Sequence, residues 1–460
     1  MSYTPDALSL LPPVAAILLA LVTRKVLLSL AAGTVAGMLV YTRFDPLETA
    51  VRTGEMFGTL LTTPWILKTL GFAVLVGSVM ELVRRSGGID GFVHLLQERY
   101  SMLRSKRAAL LLVFATGLVI FIESSITSLI AGAIGRPLAA RFGFSREKLA
   151  YVCDSTAAPV CSLLVINGWG ALLLGLITTQ IAAGYLHGDA VTLLLQSVGF
   201  NFYAMLALLL TFVTIWFDWD IGPMRSASLD TSVYGAPEAH GKASLMLLPL
   251  AVMVTAVFCF LWITGSGNMM QGSGSSAVFY TMLLTLAFIA IQYRTKNVMD
   301  WKTYFDAAFK GAMALVPIAA ILLFAFAIGK VIDLIGTGVY IASFLQTGMS
   351  HAWLSAAVFL LASAMAFATG TSWGTFSVML PIAVVMGAAT DAYMPLLIGA
   401  VISGGVFGDH CSPISDTTII ASLAAGCDHV DHVKTQLPYA LLAGGAAFML
   451  FLVSGFLLAV

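Results

Sequence analysis

Two carboxylates and an imidazole interrupt an apolar segment in the stretch GDHCSPISDTT. The acids are Asp409 and Asp416, and the imidazole is His410; Ser412 and Ser415 add hydroxyl oxygens. Carboxylate, hydroxyl and backbone carbonyl oxygens are hard donors that suit a small cation such as Na⁺. An acid inside a membrane span costs at least ~2.5 kcal/mol on insertion scales, so both aspartates are predicted to bind Na⁺ or to carry protons.

The same stretch predicts a helix break. Pro413 lacks a backbone donor and disturbs a helix, so the long apolar segment 395–426 is expected to unwind there and free backbone carbonyls. Two alternatives stay open. One acid could merely accept hydrogen bonds from the freed amides, and His410 could carry protons, contact a substrate, pair with an acid or only pack.

A second break of this kind is predicted within residues 149–186. There the stretch CDSTAAPVCS carries Asp154 and Pro159. Asp154 is therefore expected to join the two acids of the first stretch at one Na⁺ site. Asn167, beyond this break, offers an amide for which a structural hydrogen bond is the favoured use.

Hydroxyl-rich turns occur in two further apolar blocks, as ESSIT and as TGTSWGT. Glu123, in the first turn, could bind Na⁺, carry a proton or cap the turn. Trp373, in the second, could stack on a substrate or seal the turn. The hydroxyl side chains predicted to face a substrate are Ser124, Ser125, Thr127, Thr371 and Ser372.

Composition places the chain in a membrane. Of its 460 residues 59% are hydrophobic and only 10% charged, against about 25% charged in soluble proteins. The 23 basic and 23 acidic residues balance, which gives a nucleic-acid partner no electrostatic support. No P-loop, HExxH or GxSxG motif is present, so the sequence supports neither ATP-driven transport nor an enzyme, and it indicates no cofactor. The stretch CDHVDHVK, residues 427–434, is expected to be a solvated loop or helix start rather than a metal site.

The apolar segments predict an all-α polytopic membrane protein, since a bilayer core of ~30 Å needs ~20 apolar residues per helix. We expect the protein in the inner (plasma) membrane. Most of the basic residues lie in loops that would share one side of it, and the positive-inside rule makes that side cytoplasmic and places both termini on the opposite side. The candidate spans are 7–23, 26–42, 65–83, 149–186, 197–217, 244–264, 276–293, 312–335, 395–426 and 436–459.

Two blocks are predicted to be re-entrant hairpins. Block 108–140 has basic residues at both ends and is expected to enter from the cytoplasm, whereas block 352–390 has none and is expected to enter from outside. Non-helical backbone at membrane depth requires a protein or water-filled surrounding, so two such turns imply a central cavity.

The two halves of the chain also match each other in order: VGSVMEL with IGKVIDL, DSTAAPVCS with DHCSPIS, and FYAMLA with PYALLA. Each half has five crossings and one hairpin, and an odd count makes the repeats inverted. We therefore expect a first repeat over residues 1–217, a cytoplasmic linker over 218–243 and a second repeat over 244–460. Inverted repeats with broken helices are typical of secondary transporters with midplane sites.

GDHCSPISDTT, together with TGTSWGTF, resembles the NhaC family of sodium/proton antiporters within the ion transporter superfamily. The resemblance implies that hairpin tips and unwound helices form the ion and substrate sites. It also implies an elevator-like movement and a homodimer. Some members exchange sodium and protons, and others exchange carboxylates or amino acids with these ions.

The leading hypothesis is Na⁺/H⁺ antiport, in which the two cations compete for the same buried carboxylates. The alternative is an ion-coupled exchanger or symporter of a small organic acid or amino acid that uses the same ion site. A channel is disfavoured because paired hairpin tips would occlude a pore.

Overall fold

The computed structural model describes residues 4–23, 25–88, 91–92, 105–121, 123–164, 166–227, 241–268, 272–337, 340 and 351–458. Within these ranges the fold is all-α, without a β-strand.

The helices of the first half precede residue 218. They are α1 (Leu11–Thr23), α2 (Val26–Tyr41), α3 (Pro46–Thr62), α4 (Pro64–Arg85), α5 (Lys106–Val119), α6 (Ser124–Phe142), α7 (Arg146–Ser155), α8 (Ala158–Leu163), α9 (Gly168–Ala182), α10 (Ala190–Val198) and α11 (Phe202–Trp216).

The helices of the second half follow in a similar order. They are α12 (Ser244–Thr264), α13 (Gly274–Thr295), α14 (Trp301–Ala314), α15 (Val316–Leu334), α16 (Leu354–Thr369), α17 (Ser372–Ala388), α18 (Met394–Cys411), α19 (Asp416–Ala425) and α20 (His429–Leu458).

Seven helical stretches of the described residues are long and apolar enough to cross a membrane. They coincide with seven of the ten predicted spans: Pro64–Arg85, Arg146–Ala182, Ser244–Thr264, Ser275–Thr295, Trp301–Leu334, Met394–Cys411 and His429–Leu458. The other three predicted spans also form helices, but α1 and α2 are shorter, and α10 and α11 are bent by 40° at their junction. The chain is an integral membrane protein.

Both predicted hairpins are pairs of packed helices, α5 with α6 and α16 with α17. Their tips lie slightly earlier than the sequence indicated. The side chain of Glu123 accepts a hydrogen bond from the backbone of Ile126, so α6 begins at Ser124 and Thr127 is already helical. Likewise Thr371 caps α17, which begins at Ser372. At both tips a capping side chain starts the second helix of the hairpin, so the turn is shorter than the predicted hydroxyl-rich stretch.

Both predicted broken helices are interrupted. The first consists of α7, α8 and α9. The second consists of α18 and α19, separated by the non-helical residues 412–415, in which Pro413 and Ile414 form a turn.

Three helices lie wholly or mostly outside the predicted elements: α3, α10 and α14. α3 carries Arg52 and Glu55 on exposed positions and Glu48 on a partly exposed one, and α14 carries charged residues beside exposed aromatic ones. Their apolar residues cover one face alone, and a search for continuous apolar segments misses such amphipathic helices.

The apolar core has two parts, and a cleft lies where they meet. Trp169 on α9 belongs to the part built around α15 to α18, whereas Val76 on α4 belongs to the part built around α4 to α7. Both residues line the same cleft.

Candidate functional site

A cleft with about 640 Å³ of empty space, including its open mouth, lies between the two hairpin tips and the second broken helix. Three carboxylates face it, from α18, from α19 and from the tip of the first hairpin. The lining residues are Val76, Met80, Glu123, Ser124, Gly168, Trp169, Leu315, Thr371, Ser372, Trp373, Asp409, Asp416 and Thr417. Residues of both tips and of the second break thus line one cleft, and its use as an ion or substrate site stays a prediction.

Asp409 is the most deeply placed acid of the cleft, with a relative exposure of 2%. Its Oδ2 accepts a hydrogen bond of 2.7 Å from the hydroxyl of Ser372, which also lies 3.1 Å from the carbonyl oxygen of Gly405. Its Oδ1 is buried without a hydrogen-bond partner in the described part of the chain. A buried carboxylate oxygen without a donor is costly unless a proton or cation satisfies it.

Asp416 is the first residue of α19 and, unlike Asp409, is exposed to the cleft. The helix start is fixed by Ser415, whose hydroxyl accepts from the backbone N–H of Thr417 at 3.2 Å. A helix N-terminus stabilises a negative charge. Asp416 thus lies at a helix N-terminus that faces the cleft, and Ser415 contributes the cap.

Glu123 caps the first hairpin tip, which is one of the roles that the sequence left open. Its Oε2 caps α6 through Ile126, and its Oε1 lies 3.2 Å from the hydroxyl of Ser124 and 3.0 Å from that of Ser125. It also lines the cleft. Thr127, by contrast, is fully buried and donates to the backbone, so it faces no substrate space.

The tip of the second hairpin docks onto the second break. The hydroxyl of Ser412 donates to the carbonyl of Phe367 at 2.7 Å. Gly370 has φ +66°, and a Cβ there would lie 2.6 Å from the carbonyl oxygen of Ile414, so the close approach requires glycine. Ser412 is thus a structural link, and its side chain does not line the cleft.

Two indoles form one wall of the cleft. Trp373 at the second tip is half-buried and lies edge-on to Trp169, with ring centroids 6.2 Å apart. The contact closes the tip against the start of α9, and it also leaves aromatic surface facing the cleft.

Asp154 and His410 lie outside this lining, in a second buried cluster. The Oδ2 atom of Asp154 is 2.6 Å from the amide nitrogen of Gln436 and 3.4 Å from the Nε2 atom of His432. His410 places its Nε2 3.5 Å from the same Oδ2, while its Nδ1 is 2.7 Å from the hydroxyl of Tyr203. One site holding all three aspartates stays a prediction, and His410 does not contact the cleft.

The sequence did not indicate His432 and Gln436 as site residues. The expectation that residues 427–434 are solvated is wrong for His432, which is 0% exposed. The two side chains are four residues apart in α20 and lie on its buried face with Tyr439 and Ala443. This i, i+4 spacing of polar residues was the available signal.

No group of three or more His, Cys, Asp or Glu side chains in the described residues is arranged to hold a metal ion.

Known proteins resemble the chain over most of its length. Residues 160–456 match the model of the Na⁺/H⁺ antiporter family. An uncharacterised protein of Haemophilus influenzae is 33% identical over 492 aligned residues, covering 99% of this chain and 92% of that protein. The malate-2H⁺/Na⁺-lactate antiporter of Bacillus subtilis is 38% identical over 101 residues, 22% of each chain.

The fold also matches solved transporters. The YdaH transporter of Alcanivorax borkumensis superposes with a TM-score of 0.63 at 13% identity, covering 90% of each chain. The resemblance inferred from GDHCSPISDTT is confirmed, and the protein is a transporter rather than an enzyme. The chain belongs to the Na⁺/H⁺ antiporter family.

Proposed function

We propose that the protein exchanges Na⁺ for H⁺ by alternate binding of the two cations at Asp409 and Asp416, with Glu123 as a third acid of the same cleft. The observation that carries this proposal is that Asp409 lines the cleft while its buried Oδ1 has no hydrogen-bond partner among the described residues.

The mechanism follows from charge neutralisation. A buried carboxylate is stabilised by a proton or by a cation, and one bound species excludes the other. When Na⁺ enters the cleft, the carboxylates and the hydroxyl of Ser372 offer it oxygen ligands. When Na⁺ leaves, a proton takes its place, and each loaded form permits the carrier to reorient. Elevator-like movement of the hairpins stays part of this proposal.

The order of elements supports the proposal of two inverted repeats, 1–217 and 244–460, joined by a linker over 218–243. Each half contains two helices, an amphipathic helix, a further helix, a hairpin and an interrupted helix, in that order. The acids Asp154 and Asp409 lie at matching positions, each just before a break.

Asp409→Asn tests the function. A carboxamide neither takes up a proton nor neutralises Na⁺, so we expect Na⁺-driven proton flux in proteoliposomes to fall at least about 100-fold. Asp306→Asn is the control, since Asp306 is an acid on α14 that pairs with Arg85 and Lys310 away from the cleft. Native flux in Asp409→Asn would remove Asp409 from the ion site.

A second candidate function is favoured by the lining of the cleft. Its wall includes the indoles of Trp169 and Trp373, which offer aromatic surface to an organic solute. The starts of α9, α17 and α19 also reach the lining, and helix N-termini attract a carboxylate. A small organic acid or amino acid would then be exchanged together with Na⁺ or H⁺.

Thermal stability of the purified protein distinguishes the two functions, because a ligand that binds the folded state raises Tm. For pure Na⁺/H⁺ exchange, Na⁺ alone stabilises and added carboxylates or amino acids do nothing further. A solute that raises Tm only in the presence of Na⁺ would establish the organic exchanger instead.

A further inference from the structure

One side chain on α20 contacts both interrupted helices. Gln436 is fully buried, and its Nε2 lies 2.6 Å from the Oδ2 of Asp154 and 2.8 Å from the carbonyl oxygen of His410. Both neighbours are acceptors, so the amide must present its two N–H donors to them. One amide group thus bridges α7 and α18.

Each acceptor lies immediately before a break. Asp154 is the penultimate residue of α7. In a continuous helix the carbonyl of His410 would accept from the backbone N–H of Ile414, but that N–H lies 3.4 Å from the hydroxyl of Ser412 instead. Gln436 therefore supplies the donor that the interrupted helix has lost.

The bond to His410 also bears on the cleft. Asp409 precedes His410 directly, so a fixed His410 carbonyl fixes the last turn of α18 and the direction in which the Asp409 carboxylate leaves it. The oxygen end of the amide makes no stabilising contact, since Oε1 of Gln436 is buried without a hydrogen-bond partner in the described residues. A buried acceptor left in this way is costly, and only the donor end offsets that cost.

We propose that Gln436 is a positioning residue that couples the two breaks and holds Asp409 in its Na⁺-binding orientation. The proposal rests on the proposed function, in which Asp409 binds the cation. Gln436 touches no cargo: it acts through the backbone of His410 on one side and through Asp154 on the other. Supporting groups of this kind commonly set the affinity of an ion site.

Gln436→Met keeps the length of the side chain and removes both donors. We expect the Na⁺ concentration for half-maximal exchange to rise about tenfold, with the maximal rate within about twofold of native. Gln292→Met is the matched control. Gln292 is also buried, and its amide donates to the backbone carbonyl of Ser244 at 2.8 Å, while its Oε1 has no hydrogen-bond partner among the described residues. It lies on α13, away from both breaks. An unchanged half-maximal concentration in Gln436→Met, or an equal change in the control, would overturn the proposal.

A double-mutant cycle tests the coupling itself. Asp154→Leu removes the other acceptor of the amide, and we expect it to raise the half-maximal Na⁺ concentration about threefold in the native background and not further in Gln436→Met. Additive effects would show that the two breaks act independently, and the proposal would fail.

Hydrogen exchange of the backbone gives a readout that needs no transport. We expect amide exchange over residues 409–412 to be at least about tenfold faster in Gln436→Met than in native protein or in Gln292→Met. This measurement separates the two proposals, since it holds even for a protein that moves no Na⁺. If Gln436→Met does not fold, Gln436→Asn, which can reach one acceptor at most, should show a smaller change of the same sign, and native exchange rates there would contradict the coupling.

Discussion

The two interrupted helices close their breaks differently. In the first, many contacts are concentrated on one side chain, Asn167: its Nδ2 lies within 2.9 Å of the carbonyl oxygens of Phe121, Cys161 and Leu164, and its Oδ1 accepts from the amides of Trp169 and Gly170. In the second, separate hydroxyls of residues 412–418 each make one or two bonds.

The acids of the two breaks differ accordingly. Asp154 is 0% exposed and is enclosed by Gln436, His410 and His432. Each of the two acids has one buried oxygen without a hydrogen-bond partner among the described residues, but only Asp409 lines the cleft, together with the exposed Asp416. Matching positions in the two halves thus hold an acid that neighbouring side chains enclose and an acid that lines the cleft.

Loss of Asn167 should produce the largest change in stability. Asn167→Ala leaves several buried backbone groups without partners, at about 1–3 kcal/mol each when no relaxation helps, so we expect unfolding to become easier by about 3 kcal/mol or more. Ser412→Ala removes the 2.7 Å bond to the carbonyl of Phe367 and the weaker 3.4 Å contact from the N–H of Ile414, and should cost about 1 kcal/mol. Thermally induced unfolding in detergent measures both.

Equal losses of stability in these two variants would contradict the contrast. The contacts of the first break would then be no more concentrated on one side chain than those of the second. A larger loss in Ser412→Ala would reverse it, and would place the more tightly held break beside the cleft.

Loss of the Asp416 carboxylate should change ion binding and leave stability intact. Asp416→Asn keeps the shape of an exposed side chain but removes its charge, and we expect the half-maximal Na⁺ concentration to rise about tenfold, which corresponds to ~1.4 kcal/mol. Asp431→Asn is the control, because Asp431 is likewise an exposed acid in the first turn of a helix, α20, and lies outside the cleft lining. A similar rise in Asp431→Asn would mean that net charge, rather than the site, sets the affinity.

Much of this arrangement could be read from local sequence signals. These signals are Pro413, the capping residues at both hairpin tips and the polar stretches inside apolar segments. Each acts on its own neighbours in the chain, so the breaks, the tips and the cleft acids were predictable. The family resemblance rested on the same residues.

The supporting contacts could not be read in this way. Gln436 and Asp154 are 282 residues apart in the chain, and nothing local at either position indicates the other. Asp154 was expected at the ion site because its motif matches that of Asp409, yet packing of α20 against α7 encloses it. Tertiary contacts, which one sequence does not encode locally, decided which of two similar acids meets the cleft.

The smallest effect is expected at the hydroxyl that orients Asp409. Ser372→Ala removes the 2.7 Å hydrogen bond to Oδ2 but leaves the carboxylate, so the half-maximal Na⁺ concentration should rise only about threefold, ~0.7 kcal/mol. Ser377→Ala is the matched control: Ser377 is buried in the same helix and donates to the carbonyl of Trp373 instead. If Ser372→Ala abolished exchange as Asp409→Asn is expected to, the hydroxyl would be a principal ligand, and the second hairpin tip, rather than the break, would be the centre of the ion site.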